Sequence, residues 1–206
     1  KMVQTQLIER SLLDSRLLDA FGKVERHLFV DEKYWSAAYA DTYLPIGFGQ
    51  TIESPYVVAF LTHVITAGND QRVLEIGTGT GYQAAILSLL VKEVYSIELI
   101  PELGQMASER LKRLGYMNVY TKIGNGYQGW VENAPYDGII VTCSPDHIPQ
   151  DLIDQLAVGG RMIIPITFSK AVEEMVLVEK DKNGRLKKTN LVPPFFAPLF
   201  RGKNEF

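Results

Sequence analysis

Val73-Leu74-Glu75-Ile76-Gly77-Thr78-Gly79-Thr80-Gly81-Tyr82 decides how the rest of the chain is read. Val73 to Ile76 is a short apolar run bounded by a turn signal, the mark of a buried strand. Three glycines at alternate positions follow. Gln83-Ala84-Ala85-Ile86-Leu87-Ser88-Leu89-Leu90 then reads as a helix. Strand, tight glycine turn and helix make the first half of a nucleotide-binding βαβ unit. Glycine suits such a turn because it tolerates positive φ and lets the backbone approach a ligand. The helix start offers unpaired N–H groups to polar ligand atoms.

The spacing narrows the ligand. A dinucleotide site of the form G-x-G-x-x-G needs its third glycine at position 82, which is Tyr82; the glycine comes one residue early, at Gly81. An NAD-dependent oxidoreductase is therefore disfavoured. The next strand-like run, Val94-Tyr95-Ser96-Ile97-Glu98, ends in an acid about 20 residues after Gly77, where such folds hold a ribose by its hydroxyls. Read alone, Glu98 is a solvated strand end. Read with the glycine turn, it implies a free ribose without a 2′-phosphate.

Upstream, residues 3 to 22 read as helical. Val3, Leu7, Ile8 and Leu12 form one apolar stripe and Leu17, Leu18 and Phe21 another; Asp14 suits a cap and Gly22 a stop. His27 reads as a surface or packed residue, and the aromatic stretch Tyr34, Trp35, Tyr39, Tyr43 as core, with a wall of a binding cleft as the alternative. Leu44 to Ser54 is too apolar for a linker and too glycine-rich for a helix, and reads as an ordered loop over a ligand pocket. Ser54-Pro55 opens a helix as N-cap and first turn, with Val57, Val58, Leu61, Val64 and Ile65 on its apolar face, Gly68 at its end and His63 along it.

Downstream the pattern alternates regularly. Strands are expected at Val73–Ile76, Val94–Glu98, Val119–Ile123, Tyr136–Thr142 and Arg161–Ile166, the last after a Gly159-Gly160 turn. Helices are expected at Tyr82–Leu90, from Pro101 to a stop at Gly115, and at Pro149–Leu156. That order argues for a parallel sheet covered by helices. Lys182-Asn183-Gly184-Arg185 then separates two strand-like runs, Glu174 to Glu179 and Leu186 to Val192, and Asn-Gly there is a hairpin signal. The fold class expected is α/β: a Rossmann-like, doubly wound, mostly parallel sheet with an antiparallel C-terminal hairpin and helices on both faces. The proline-punctuated tail from Pro193 to Phe200 is expected to pack across the sheet edge. One domain spans 1–206, with a helical segment and loop over 1–70 and the core over 71–206.

The chain's 206 residues suffice for a sizeable core. A net charge of −3 with mixed acids and bases gives no basic stripe for nucleic acid. One cysteine, Cys143, excludes an intrachain disulfide and suits a reducing compartment. The apolar runs are short of a membrane span, so a cytoplasmic protein is expected, and a monomer. No metal-ligand spacing stands out.

The glycine turn behind an acid, with a second acid ending the next strand, resembles S-adenosylmethionine-dependent methyltransferases of the Rossmann-like class. Leu44-Pro45-Ile46-Gly47-Phe48-Gly49-Gln50-Thr51-Ile52 together with Leu74 to Tyr82 is similar to the protein-L-isoaspartate (D-aspartate) O-methyltransferases, over a likeness running from about Val24 to Ile166. The resemblance implies a cofactor, S-adenosylmethionine, leaving as S-adenosylhomocysteine, and as partners damaged proteins and peptides carrying isoaspartyl residues. It implies cofactor contacts from Ile52, Glu75, Gly77, Thr78, Gly79, Gly81, Tyr82, Glu98, Leu99, Gly124, Asn125, Gly126 and Thr142. It implies acceptor-site roles for Thr51, Glu53 and Ser54.

Two positions depart from the family pattern. Asn125 stands where an aspartate is usual, keeping one acceptor oxygen and adding donors. Glu53 stands where a serine is usual, in Thr51-Ile52-Glu53-Ser54-Pro55. Either Glu53 points away and Ser54 or Thr51 orients the acceptor, or the acceptor differs. The implied reaction moves a sulfonium methyl to a carboxylate that is already ionised at neutral pH, so no general base is required and positioning is the main task. The competing readings are a related methyltransferase with another acceptor and a catalytically silent cofactor-binding module.

Overall fold

The computed structural model describes residues 1–66, 68–169, 172–191 and 197–198. Its start is less regular than the apolar stripes suggest. Val3–Leu7 is a π-helical turn and Ile8–Arg10 a 3-10 turn, and Ser11 takes a left-handed φ of 66° that breaks the helix. Asp14 then caps α1 (Ser15–Lys23), its carboxylate accepting from the N–H groups of Arg16 and Leu17. Gly22 does not stop α1; the helix ends one residue later, where Val24 turns extended.

Two 3-10 helices, Arg26–Phe29 and Glu32–Ala37, lead to an antiparallel ribbon of β1 (Leu44–Gly47) and β2 (Gln50–Ile52). The expected loop is thus a two-stranded hairpin. Phe48 and Gly49 turn it with φ of 54° and 70°, so the glycines that argued against a helix serve a tight strand reversal. The aromatic stretch is not core: Trp35, Tyr39 and Tyr43 are exposed. α2 (Pro55–Ile65) follows, capped by Ser54 with Pro55 in its first turn, and ends at Ile65, short of Gly68.

The regular part begins with β3 (Arg72–Ile76), α3 (Tyr82–Ser88), β4 (Glu93–Glu98), α4 (Pro101–Arg113), β5 (Val119–Ile123) and β6 (Tyr136–Val141). It continues with β7 (Cys143–Ser144), α5 (Gln150–Gln155), β8 (Leu156–Ser169), β9 (Val172–Lys180), β10 (Leu186–Leu191) and β11 (Ala197–Pro198). Seven strands form one sheet in the order β10-β9-β8-β6-β3-β4-β5. β8, β6, β3, β4 and β5 run parallel; β9 and β10 are antiparallel.

The strands alternate between two apolar layers. Val73, Ile140 and Ile163 pack towards α1, α2 and α3, while Leu74, Ile76, Ile139, Val141, Met162 and Ile164 face the layer holding Leu152 of α5. β8 starts earlier than expected. Gly159 and Gly160 lie inside it as a bulge: the register with β6 slips between Tyr136 and Gly138, and Gly159 has φ of 82°. Of the apolar tail, residues 193–196 and 199–200 lie outside the described residues; Ala197–Pro198 pairs in parallel with β7, not with an edge of the large sheet.

The chain winds outward from β3 through β4 to β5, then returns to β6 on the other side of β3. Strand order therefore reverses between β3 and β6, and open α/β sheets bind ligands at that point, at the strand C-terminal ends.

Candidate active site

The glycine turn after β3 and Thr142 after β6 meet at this switch point. The turn bends away from the sheet through positive φ at Gly77, Gly79 and Gly81, of 96°, 52° and 86°. Any side chain on Gly77 would strike the Thr142 hydroxyl. That hydroxyl donates towards the carbonyls of Ile76 and Gly77, at 2.9 and 3.0 Å, and so holds the turn open.

A cleft above the turn is lined by Thr51, Ile52 and Glu53 from the β2 end, by Val58 and Leu61 of α2, by Glu75 to Thr80 (Ile76 excepted), by Tyr82 and Gln83, and by Thr142. The β1–β2 ribbon thus brings the Thr51 region against the cofactor turn. Ser54 stands just behind: its oxygen accepts from Val57 N–H at 3.4 Å as the cap of α2. Glu53 is half-buried and is among the residues that line the cleft. Gly81 turns the chain into α3 without lining the cleft; Leu99 is half-buried beside Glu98.

Glu98, Gly79 and Gly124 are joined directly. The Glu98 carboxylate accepts from Gly79 N–H at 2.8 Å and from Ile100 N–H at 3.0 Å, and its carbonyl accepts from Gly124 N–H at 2.9 Å. The ends of β3, β4 and β5 are thereby tied together, although Glu98 and Gly124 to Gly126 are not among the residues that line the cleft. In the third loop the Asn125 side-chain oxygen accepts from Tyr127 N–H at 3.0 Å and caps the short 3-10 helix Gly126–Gln128. An aspartate would cap it equally well, so the departure from the family residue leaves the loop's local structure supported.

Glu75 is the anomaly of β3, a carboxyl with no exposure between the buried apolar residues Leu74 and Ile76. One oxygen takes the Ser96 hydroxyl, and Ser96 in turn pairs with Thr78 at 2.6 Å. Since Ser96 has one proton to give, Thr78 is the donor of that second bond. The other oxygen, Oε1, has no hydrogen-bond partner among the described residues; nor has Oε1 of Gln83, whose amide nitrogen is bound to Thr62. Burial lifts the Glu75 carboxyl to about 8, helped by the nearby Glu98 charge and opposed by Ser96. Two buried oxygens without donors, in one cleft, suit a ligand bearing a cationic amino group. The amino-acid part of S-adenosylmethionine is such a group, and the residues present fit it.

Sequence reasoning passed over Ser96, Gln83 and above all Arg26. Arg26 has no exposure. Its Nε donates to the Ala38 carbonyl at 2.7 Å, a terminal nitrogen donates to the Glu53 carbonyl, and the guanidinium lies 4.7 Å from the Tyr82 ring centre. Phe21 and Phe29 pack edge-on against the same ring. Tyr82, the residue that broke the dinucleotide spacing, therefore ties the helix after the glycine turn to the acceptor segment. No local pattern announces this, because Arg26 and Glu53 meet only through the fold. His27 plays a supporting part, its Nδ1 2.7 Å from the Tyr39 hydroxyl. His63 is exposed on α2.

Comparison with known proteins agrees with this geometry. The profile of the protein-L-isoaspartate (D-aspartate) O-methyltransferase family matches residues 1–204. Protein-L-isoaspartate O-methyltransferase 2 of Syntrophobacter fumaroxidans is 49% identical over 198 residues, covering 96% of this chain and 80% of the relative. A protein-L-isoaspartate O-methyltransferase of Picosynechococcus is 52% identical over 166 residues, covering 81% and 75%. Among solved structures, one protein-L-isoaspartate O-methyltransferase superposes with a TM-score of 0.88 at 28% identity, over 98% of this chain and 66% of that one. A Plasmodium falciparum structure assigned the same activity, in complex with S-adenosyl-L-homocysteine, gives 0.81 at 25% identity over 98% and 97%. The match over nearly the whole length, on top of a switch-point cleft floored by the glycine turn and roofed by Thr51 to Glu53, means that the chain belongs to the protein-L-isoaspartate (D-aspartate) O-methyltransferase family.

Proposed function

We infer that the protein transfers a methyl group from S-adenosylmethionine to the free carboxylate of L-isoaspartyl, and D-aspartyl, residues in damaged proteins, the step that initiates their repair. The observation that carries this reading is the shared cleft: the segment Thr51–Glu53 faces the turn Gly77–Gly79 across it. When bound, the cofactor supplies an electrophilic sulfonium methyl. Glu75 and Gln83 are the acceptors for its amino group, Glu98 the acceptor for its ribose, and Leu99 with Gly124 to Gly126 the neighbours of its adenine. We take the described elements as one methyltransferase domain acting as a monomer in the cytoplasm. Among the described residues no helix is long and apolar enough to cross a membrane.

Thr51 is the donor placed to orient the acceptor carboxylate without protonating it, and Ser54 keeps its proton available behind it. Thr51→Val is expected to lower turnover about 10- to 100-fold, the lower range of losing one preorganised donor, with the melting temperature unchanged. Ser54→Ala is expected to cost about 1 kcal/mol of stability through the lost cap and less turnover than Thr51→Val. Melting curves beside the kinetics separate the two, and a Thr51→Val enzyme with full turnover sinks the assignment.

Glu53 sets a second expectation. A carboxylate lining the cleft repels an anionic acceptor, so Glu53→Ser is expected to raise the rate on isoaspartyl peptides several-fold. A fall in that variant favours the second reading, in which Glu53 selects a different acceptor. The deciding experiment is transfer of labelled methyl to an isoaspartyl peptide, with its normal aspartyl twin as control. Label on the isoaspartyl peptide alone is expected; equal labelling of both, or of neither, rules the reading out.

A further inference from the structure

The hairpin joining β9 to β10 is made of Asp181 to Arg185, all exposed. Its tip is Asn183-Gly184, the dipeptide in which asparagine most readily rearranges, because a glycine nitrogen carries no flanking side chain to hinder attack. Gly184 has φ of 77°, and nothing lies within 4 Å of where a side chain would stand. We propose that Asn183 is itself a site of isoaspartate formation and that a second copy of the chain methylates it there. This rests on the function inferred above.

The chemistry balances without any further oxidant or reductant. The Gly184 backbone nitrogen attacks the Asn183 side-chain carbonyl carbon. A C–N bond forms, the bond to the side-chain nitrogen breaks, and ammonia leaves with the backbone proton. The five-membered imide is then opened by water. Opening at the backbone carbonyl leaves the chain running through the side chain, with a free α-carboxylate, and that is the isoaspartyl group.

The fold delays this step without preventing it. Gly184 N–H donates to the Asp181 carbonyl at 2.9 Å, and the Asp181 carboxylate accepts from Asn183 N–H and Arg185 N–H at 2.8 Å each. The nitrogen is free to attack only when the turn opens, and exposed hairpin tips sit at the low end of local stability. The other Asn-Gly pair, Asn125-Gly126, is better protected: Gly126 is buried and Asn125 caps the helix that follows.

Topology decides who does the methylating. β8 runs with β6 and β3, and β9 returns against it, pairing Glu179 with Arg161. The 181–185 turn therefore lies at the N-terminal edge of the parallel strands, whereas the glycine turn lies at their C-terminal edge. About 20 Å of sheet separates them at roughly 3.3 Å per residue, so a copy cannot reach its own turn. Charge favours the encounter: around Asn183 the bases Lys180, Lys182, Arg185, Lys187 and Lys188 outnumber the acids Glu179 and Asp181, and Glu53 lines the acceptor cleft.

The test ages the intact protein at mildly alkaline pH, then adds fresh protein and methyl-labelled S-adenosylmethionine and maps the label by digestion. Isoaspartate at 183 is scored independently by mass spectrometry, and a synthetic isoaspartyl peptide reports the activity of the fresh enzyme. Label on the 183 peptide is expected to grow with ageing and with the concentration of fresh enzyme. Asn183→Gln is expected to lower it more than tenfold while the synthetic peptide is methylated as before. The proposal is overturned if the synthetic peptide is methylated but isoaspartate does not accumulate at 183, or accumulates and stays unlabelled. If the synthetic peptide itself stays unlabelled, the inferred function fails and the methylation half of the proposal falls with it.

Discussion

Affinity for S-adenosylmethionine is expected to climb with pH up to about 8, by as much as roughly tenfold per unit, and to fall again above it. The acid limb comes from Glu75, whose carboxyl is raised to about 8 by burial. Below that value the unliganded protein holds Glu75 protonated, and a cationic amino group binds best to the carboxylate, so binding must first release a proton. The alkaline limb comes from the ligand, because an α-amino group has a pKa of about 7.7–8.0. The groups facing Glu75 are Ser96, Thr78, Gln83 and Glu98; the carboxylate of Glu98 only reinforces the upward shift. Calorimetry across buffers of different ionisation heat reads the released proton directly. Glu75→Gln should bind weakly and lose the acid limb, and an acid limb that persists in that variant refutes the assignment. Stability has its own sign. The folded pKa lies above the unfolded value, so between about 4.5 and 8 the folded state holds a proton that the unfolded chain has lost. Glu75 therefore lowers stability as pH rises through that window, an effect that Glu75→Gln removes.

Glu98→Ala is expected to weaken binding of S-adenosylhomocysteine by about 3 kcal/mol, roughly 150-fold, the scale of one or two lost hydrogen bonds to a charged group. It is also expected to lower the melting temperature. In the folded chain the same carboxylate accepts from Gly79 and Ile100, and alanine leaves both N–H groups without it. Glu98→Gln keeps one acceptor oxygen and should lose less, about 1–3 kcal/mol. Binding has to be measured below the unfolding transition. Unchanged affinity in the alanine variant removes Glu98 from the ribose site.

The alternation from Arg72 to Ile166 was legible because buried parallel strands and their covering helices each carry a strong local period. The placement of Gly77, Gly79 and Glu98 was legible for the same reason: they stand at or just after strand ends, which sequence order locates. What escaped was of another kind. The break at Ser11 depends on one left-handed residue, which the apolar stripes on either side conceal. The ribbon at Leu44–Ile52 has strands of four and three residues, too short for alternation to register. The aromatic stretch was misjudged because aromatic content signals burial only on average, and here Trp35, Tyr39 and Tyr43 stand on the surface. Arg26 was missed because a buried guanidinium is defined by its partners, the carbonyls of Ala38 and Glu53, and backbone carbonyls leave no trace in a sequence.

The carbonyl clasp at Arg26 joins two parts of one chain. The residues proposed to face the acceptor precede Arg72, and apart from Ile52 those proposed to hold the cofactor follow it. Arg26 and the Tyr82 ring form a seam between these halves; Arg26 has no exposure, while Tyr82 also lines the cleft. A substitution before Arg72, at Glu53 for instance, therefore leaves in place the bonds by which Glu98 and Thr142 hold the glycine turn.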